Sequence, residues 1–162
     1  MMTREEAIAT ILKRHGPAAV YVASTGFVSR AVRAIAGDNY FVFYMQGSMG
    51  LAPSIGLGIA ISAEAEVVVI NGDGALLMSL GTTHTARDLA LPNFFHYVLN
   101  NGCHESVGGQ RCASLDAHYP GVTEVIPIDL GGRPPRVGIE PTTNAHAVRT
   151  ILMNAHGRSG DR

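Results

Sequence analysis

Charge is scarce in this chain. Asp, Glu, Lys and Arg make up 15% of its 162 residues, against about 25% in an ordinary soluble domain, so a partner is expected to cover part of its surface. Neither sign dominates: twelve Lys and Arg stand against thirteen Asp and Glu, a formal net charge of -1. That balance offers no attraction to a phosphate backbone or an anionic lipid surface, which argues against nucleic-acid and membrane binding. Cysteine is scarcer still. Cys103 and Cys112 are too few for a disulfide framework or a CxxC-type zinc site, so both read as free thiols of a reducing, cytoplasmic compartment. No export signal is expected, because Glu5 and Glu6 stand where an apolar stretch would be needed. Between Asn39 and Ala63 there is no charge at all. A membrane span is nevertheless rejected: Gln46, Ser48, Pro53, Ser54 and several glycines divide the stretch into a short strand, a glycine-rich turn and a small-residue helix. Internal repeats, heptads and low-complexity tracts are absent.

Glycine, by contrast, is abundant: 19 residues exceed the usual share of about 7% and imply many tight turns or close backbone approaches. The length suits one compact domain over residues 1–162. An amino-terminal helix is signalled by a capping box of Thr3 and Glu6, with Ile8, Ile11 and Leu12 on one face. Four apolar runs read as buried strands: Ala18 to Val22, Tyr40 to Tyr44, Val67 to Ile70 and Phe94 to Leu99. Helix-like segments alternate with them, at Val28 to Ala36, Ala52 to Ser62 and Ala75 to Leu89. This order predicts an α/β three-layer sandwich, a mostly parallel sheet with helices on both faces. Ligands of such sheets sit at the carboxyl ends of the strands, which directs attention to four loops. They are Ser24-Thr25-Gly26, Gln46 to Gly50, Asn71 to Gly74, and Asn100 to Ser106.

Gly72-Asp73-Gly74 sets a carboxylate between two residues without side chains, after an apolar strand and before a helix. Small residues let a diphosphate approach free backbone N–H groups, and an aspartate there would repel it unless a cation lay between. As an isolated tripeptide it better suits a turn in which Asp73 caps the helix; the context shifts the balance. Asn100-Asn101 follows one helix and one strand later, and adjacent parallel strands would bring the two loops together. A carboxylate, an amide oxygen, a backbone carbonyl, two phosphate oxygens and water make the six hard ligands that Mg²⁺ prefers. Other motifs are missing: Ser48 lacks a G-x-S-x-G elbow, and Gly56-Leu57-Gly58 lacks the third glycine of a dinucleotide fingerprint.

Gly72-Asp73-Gly74 with Asn100-Asn101 at this distance resembles the diphosphate and magnesium motif of thiamin diphosphate enzymes. GSMGLAPSIGLGIA (47–60) and LNNGCHESVGGQ (99–110), with TREEAIATIL and STGFVSR upstream, narrow the resemblance to the phosphonopyruvate and sulfopyruvate decarboxylases, over residues 3–110. The resemblance implies the thiamin diphosphate-binding fold and two cofactors, thiamin diphosphate and Mg²⁺. It implies that Asp73, the Asn101 side chain and the Cys103 backbone carbonyl ligate the metal, and that Gly72, Gly74, Ala75, Thr25 and Gly26 cradle the diphosphate. Gly47, Ser48 and Met49 would meet the cofactor rings, Met49 as a wedge and Gly47 through its carbonyl. His104 and Glu105 are the candidate catalytic side chains, with a solvated turn as the alternative; Arg111 could contact an acidic substrate tail, but a surface arginine is the favoured reading.

The implied reaction is decarboxylation of phosphonopyruvate or sulfopyruvate to the corresponding aldehyde, with the cofactor as electron sink. The activating glutamate belongs to a pyrimidine-binding domain for which 162 residues leave no room. The resemblance therefore implies a beta subunit that needs an alpha subunit. Beyond Gln110 the family pattern is lost, and Pro120, Pro127, Pro134, Pro135 and Pro141 interrupt the chain. One strand at Val125 to Ile128 and a last helix at Ala145 to Ala155 are expected there, within an incomplete sheet, an irregular stretch from 111 to 162 and a frayed GRSGDR tail. Two alternatives stay open: a half-subunit with another thiamin diphosphate activity, and an inactive cofactor-binding remnant.

Overall fold

The computed structural model describes residues 1–156, so the GRSGDR tail lies outside the described residues. Seven strands alternate with six α-helices. Helix α1 (Arg4–His15) leads to β1 (Val20–Ala23), α2 (Phe27–Ala36), β2 (Phe41–Tyr44), α3 (Ala52–Ser62) and β3 (Val67–Gly72). Then come α4 (Asp73–Met78), α5 (Gly81–Leu89), β4 (Phe94–Asn100), the short pair β5 (Cys103–His104) and β6 (Gln110–Arg111), β7 (Glu124–Pro127) and α6 (Pro141–His156). The capping box at Thr3 is present, the Thr3 hydroxyl accepting the Glu6 N–H while the Glu6 carboxylate accepts that of Thr3.

Five strands form one parallel sheet in the order β2-β1-β3-β4-β7. Its strands are apolar on both faces because helices cover both. Tyr21, Ala23, Val68, Ile70, Tyr97 and Leu99 pack against α1 and α2. The alternate residues Val20, Val22, Val67 and Val69 pack against α3, with Val148 and Leu152 of α6 joining that layer. The predicted three-layer sandwich is thus the observed fold.

Three expectations change. The helix expected over 75–89 is two helices: Ser79 leaves helical geometry at φ -145°, and its hydroxyl meets that of Thr82 at 2.9 Å. Beyond residue 110 the one expected strand forms a residue earlier than expected, as β7, and lies beside β4 from Tyr97↔Glu124 to Asn100↔Pro127. The last helix begins at Pro141, four residues before the expected start, and its Asn144 serves the sheet edge. The Asn144 Oδ1 accepts the Tyr44 N–H at 2.9 Å and its Nδ2 donates to the Tyr44 carbonyl at 2.7 Å, replacing a neighbouring strand beside β2.

Two glycines of α3 give opposite expectations. A Cβ on Gly56 would collide with Val69 Cγ2, whereas one on Gly58 meets nothing within 4 Å. Gly56→Val should lower the unfolding free energy by about 1–3 kcal/mol through overpacking, and Gly58→Ala should raise it by about 0.5–1 kcal/mol through helix propensity, both read by urea denaturation. His96 in β4 supplies a pH test. Complete burial pushes its pKa down to about 3 from 6.5, so it stays neutral when folded and takes up a proton when unfolded. Stability should fall as pH drops from 6.5 toward 3, by up to roughly 1.4 kcal/mol per unit from this group, and His96→Phe should flatten that slope.

Candidate functional site

In the observed strand order the chain leaves β1 toward β2 on one side and returns to β3 on the other. The gap beyond the carboxyl ends of β1 and β3 is a topological switch point, where open α/β sheets bind ligands. A cavity of about 60 Å³ lies there, lined by Thr25 after β1, Asp73 after β3, and Asn101 and His104 after β4. It adjoins a larger cleft of about 480 Å³ that also contains Gly26, Gly47 and Ser48. Thr25, Met49 and Ser106 belong to both.

Register explains the meeting of the second pair of loops. Gly72 pairs with Leu99 across β3 and β4, so the register brings Asp73 level with Asn100, and Asn101 follows one residue on in the adjoining loop. Asp73 is buried, its Oδ2 accepting the Gly102 N–H at 2.8 Å and its Oδ1 accepting the Gly74 N–H at 2.9 Å. The Gly74 N–H is thus paired with the carboxylate of its own neighbour. Asp73 is the first residue of α4 and Gly72 is its cap, so the simple capping alternative for Asp73 is not what forms.

Asn101 is held at both ends of its amide. Its Oδ1 accepts the Cys103 N–H at 3.1 Å, and its Nδ2 donates to Glu105 Oε2 at 2.9 Å. Glu105 Oε1 accepts from Arg4 Nη2 at 3.4 Å and from the Gly131 N–H at 3.2 Å. With both oxygens engaged, Glu105 ties α1 and the segment after β7 to Asn101. His104 differs. Its Nδ1 is buried without a hydrogen-bond partner, and its ring occupies the space that a Gly74 side chain would need, 2.5 Å from the Cβ position.

The stretch from Cys103 to Arg111 is a small antiparallel hairpin, β5 with β6, turning through Gly108 and Gly109 at φ +124° and +75°. Arg111 lies exposed on it, lining neither cavity, as the surface-arginine reading expects. Gly26, at φ +82°, brings the first loop so close to the hairpin that a Cβ would lie 2.5 Å from Ser106 Oγ. Both cysteines are free, as expected. Burial raises the pKa of Cys103, with further help from Glu105 and Asp73, and pushes Cys112 up to about 11, again with Asp73 adding to it. Thiols so placed stay protonated at neutral pH and make poor thiolate ligands.

The second loop is strained at Ser48, a non-glycine residue at φ +56°, a conformation that costs energy and concentrates at functional sites. Gly50, at φ +97°, lets this loop lie on α4, where a Cβ would meet Met78 Cβ at 3.0 Å. Leu51, Met78 and Leu80 stay exposed beside it. Two participants escaped sequence reading. Arg4 is 1% exposed despite its place in the first turn of a terminal helix; its signal was its position on the same face as Ile8 and Ile11. Ser106 carried no signal of its own.

Residues 22–137 match the family described as "Thiamine pyrophosphate enzyme, C-terminal TPP binding domain". The chain belongs to this family. Thiamine pyrophosphate is thiamin diphosphate, and the match extends beyond residue 110, the limit of the motif resemblance. A phosphonopyruvate decarboxylase of Streptomyces hygroscopicus is 42% identical over 120 residues, 74% of this chain and 30% of that protein. Sulfopyruvate decarboxylase subunit beta of Methanothermobacter thermautotrophicus is 44% identical over 95 residues, 59% of this chain and 50% of the relative. The corresponding subunit of Methanococcus maripaludis is 34% identical over 131 residues, 81% and 70% of the two chains. The chain thus spans about a third of the Streptomyces enzyme and half or more of these beta subunits. A solved structure from Mycobacterium smegmatis, described as a thiamin diphosphate-dependent enzyme, shares the fold with a TM-score of 0.56 at 22% identity, over 71% of this chain and 24% of that one.

The residues present fit the family's cofactor. Asp73 and Asn101 present hard oxygen donors from adjoining loops, and Arg4 and His104 present unpartnered buried nitrogens in the same cavity wall. No cluster of three or more His, Cys, Asp or Glu suited to a metal occurs among the described residues. Nor is any described helix long and apolar enough to cross a membrane.

The Arg4–Glu105 contact yields a stability test. Removing one partner of a buried ion pair strands the other and costs about 3–5 kcal/mol. Glu105→Ala should lose that much in denaturant unfolding, while Glu105→Gln, which keeps an acceptor for Asn101, should lose less.

Proposed function

We propose that this chain is the diphosphate-binding beta subunit of a thiamin diphosphate-dependent decarboxylase acting on a 2-oxoacid with a phosphonate or sulfonate tail, namely phosphonopyruvate or sulfopyruvate. The observation that carries this reading is the meeting of the Asp73 and Asn101 loops beyond paired strands, tied by the Gly102 N–H to Asp73 Oδ2 at 2.8 Å. The printed names of the relatives support it, since they include both phosphonopyruvate decarboxylase and sulfopyruvate decarboxylase subunit beta.

Thiamin diphosphate, when bound, supplies the electron sink for loss of carbon dioxide from the 2-oxoacid. In this reading Asp73 and the Asn101 amide oxygen hold Mg²⁺, with the Cys103 carbonyl as third protein ligand. Glu105 acts on Asn101 by accepting its Nδ2–H, which fixes the orientation of the amide. Thr25, Gly26 and Ala75 lie against the diphosphate end, and Gly47, Ser48 and Met49 against the rings in the larger cleft. His104 stands in the cavity wall as a candidate proton donor or anion contact. A separate alpha subunit provides the pyrimidine-binding half and the activating glutamate, and it covers the exposed Leu51, Met78 and Leu80 beside the cleft.

Calorimetric titration of thiamin diphosphate with Mg²⁺ tests the reading, using this chain alone and mixed with the product of a neighbouring gene for a pyrimidine-binding domain. Tight, magnesium-dependent binding only in the mixture is expected, followed by release of phosphonoacetaldehyde or sulfoacetaldehyde. Absence of binding in both samples would favour the remnant alternative. Asp73→Asn should weaken cofactor binding by about 10²-fold or more through loss of the metal's only carboxylate, with an unchanged circular dichroism spectrum; unchanged affinity would sink the assignment. Met49→Gly should spare metal binding and lose turnover.

A further inference from the structure

We propose that Arg4 and His104 together form a binding site for one tetrahedral oxyanion group, a phosphoryl, phosphonate or sulfonate, in the wall of the inner cavity. The proposal rests on the cofactor reading above and assigns to it an anion contact outside the Asp73–Asn101 motif.

Arg4 begins α1, yet it is 1% exposed. The chain carries it inward because Met2 bridges to Ile128 and the Asp129 N–H donates to the Met2 carbonyl at 3.0 Å, fastening the start of α1 to the end of β7. Its Nη2 donates to Glu105 Oε1 at 3.4 Å and to the Gly132 carbonyl at 3.3 Å, and its guanidinium carbon lies 5.4 Å from the centre of the Phe27 ring. Nε and Nη1 have no hydrogen-bond partner, the nearest charge to Nε being Glu5 at 4.0 Å. Unsatisfied donors on a buried cation are rare in native proteins, and each calls for a missing acceptor. His104 Nδ1 is likewise buried and unpartnered, and both residues line the same cavity.

Size and charge narrow the occupant. The cavity volume of about 60 Å³ is several times the roughly 10–15 Å³ that one water requires, yet it is small for a heterocyclic ring. A guanidinium with two free donor nitrogens and an imidazole nitrogen without a partner, lining one cavity, match the oxygens of a phosphoryl or sulfonyl group. Glu105 offsets the charge of Arg4, and Asp73 repels an anion, so occupancy should require a divalent cation at Asp73. The group can come from the terminal phosphoryl of the cofactor or from the acidic tail of the substrate.

The test is calorimetry on the full chain, alone and with its pyrimidine-domain partner, using inorganic diphosphate, methylphosphonate and ethanesulfonate in the presence and absence of Mg²⁺. Thiamin diphosphate is titrated in parallel. Arg4→Lys keeps a cation beside Glu105 but loses the fork, and His104→Phe keeps a ring against Gly74 without touching the Arg4 contacts. Each should weaken magnesium-dependent oxyanion binding about tenfold or more, with folding verified by circular dichroism. If the group is the cofactor's, the variants weaken inorganic diphosphate and thiamin diphosphate, and methylphosphonate does not bind the loaded protein. If it is the substrate's, methylphosphonate or ethanesulfonate binds the loaded protein, the variants lose that binding, and thiamin diphosphate affinity is unchanged. Should His104→Phe and any folded Arg4→Lys leave every probe within about twofold of the parent, the proposal is overturned, while tight thiamin diphosphate binding lost in Asp73→Asn would leave the cofactor reading standing. A parent protein that binds none of the probes and no thiamin diphosphate overturns both.

Discussion

The pairing of β3 with β4 is the constraint on which the site depends. Six parallel register positions, from Val67↔Phe94 to Gly72↔Leu99, fix two chain exits at one height. A one-residue slip would invert the faces of β4, turning Tyr97 and Leu99 from the layer of α1 and α2 onto the side packed by α3. It would also part Asp73 from the Gly102 N–H. Fold stability and site geometry are thus secured by the same apolar alternation, and the loops beyond it inherit their positions from a core that cannot slide.

Around that pair the molecule builds a second shell from distant parts of the chain. Arg4, Glu105, Asn101 and Gly131 come from the first helix, the fourth loop and the stretch after β7. A buried ion pair is weak as a source of net stability because both groups lose their hydration. Its value here is directional: Glu105 has one oxygen for the cation and one for the Asn101 amide, which sets the amide's orientation. The same arrangement leaves part of the guanidinium unsatisfied, at the cavity wall where an oxyanion group would fit.

The larger cleft lies open beside exposed Leu51, Met78 and Leu80. A ring system lodged there would have one side against Met49 and the loop strained at Ser48, and its other side toward solvent or a partner. Exposed apolar residues grouped in this way mark a candidate interaction surface.

Much of this was legible in the residues themselves. Apolar runs interrupted by Ser24-Thr25-Gly26, Gln46 to Gly50 and Gly72-Asp73-Gly74 determine strands, loops and their alternation, because β-branched runs and glycine act locally. The meeting of the Asp73 and Asn100-Asn101 loops was legible for the same reason: a helix and a strand separate them, and parallel strands align their ends. What the tertiary structure alone decided was long-range. The burial of Arg4, the engagement of Glu105 by three partners, the commitment of the Gly74 N–H and the edge-capping by Asn144 each join residues far apart in sequence or depend on atoms one residue away in a turn. No local propensity encodes those contacts; they follow from which surfaces meet once the sheet has closed its register.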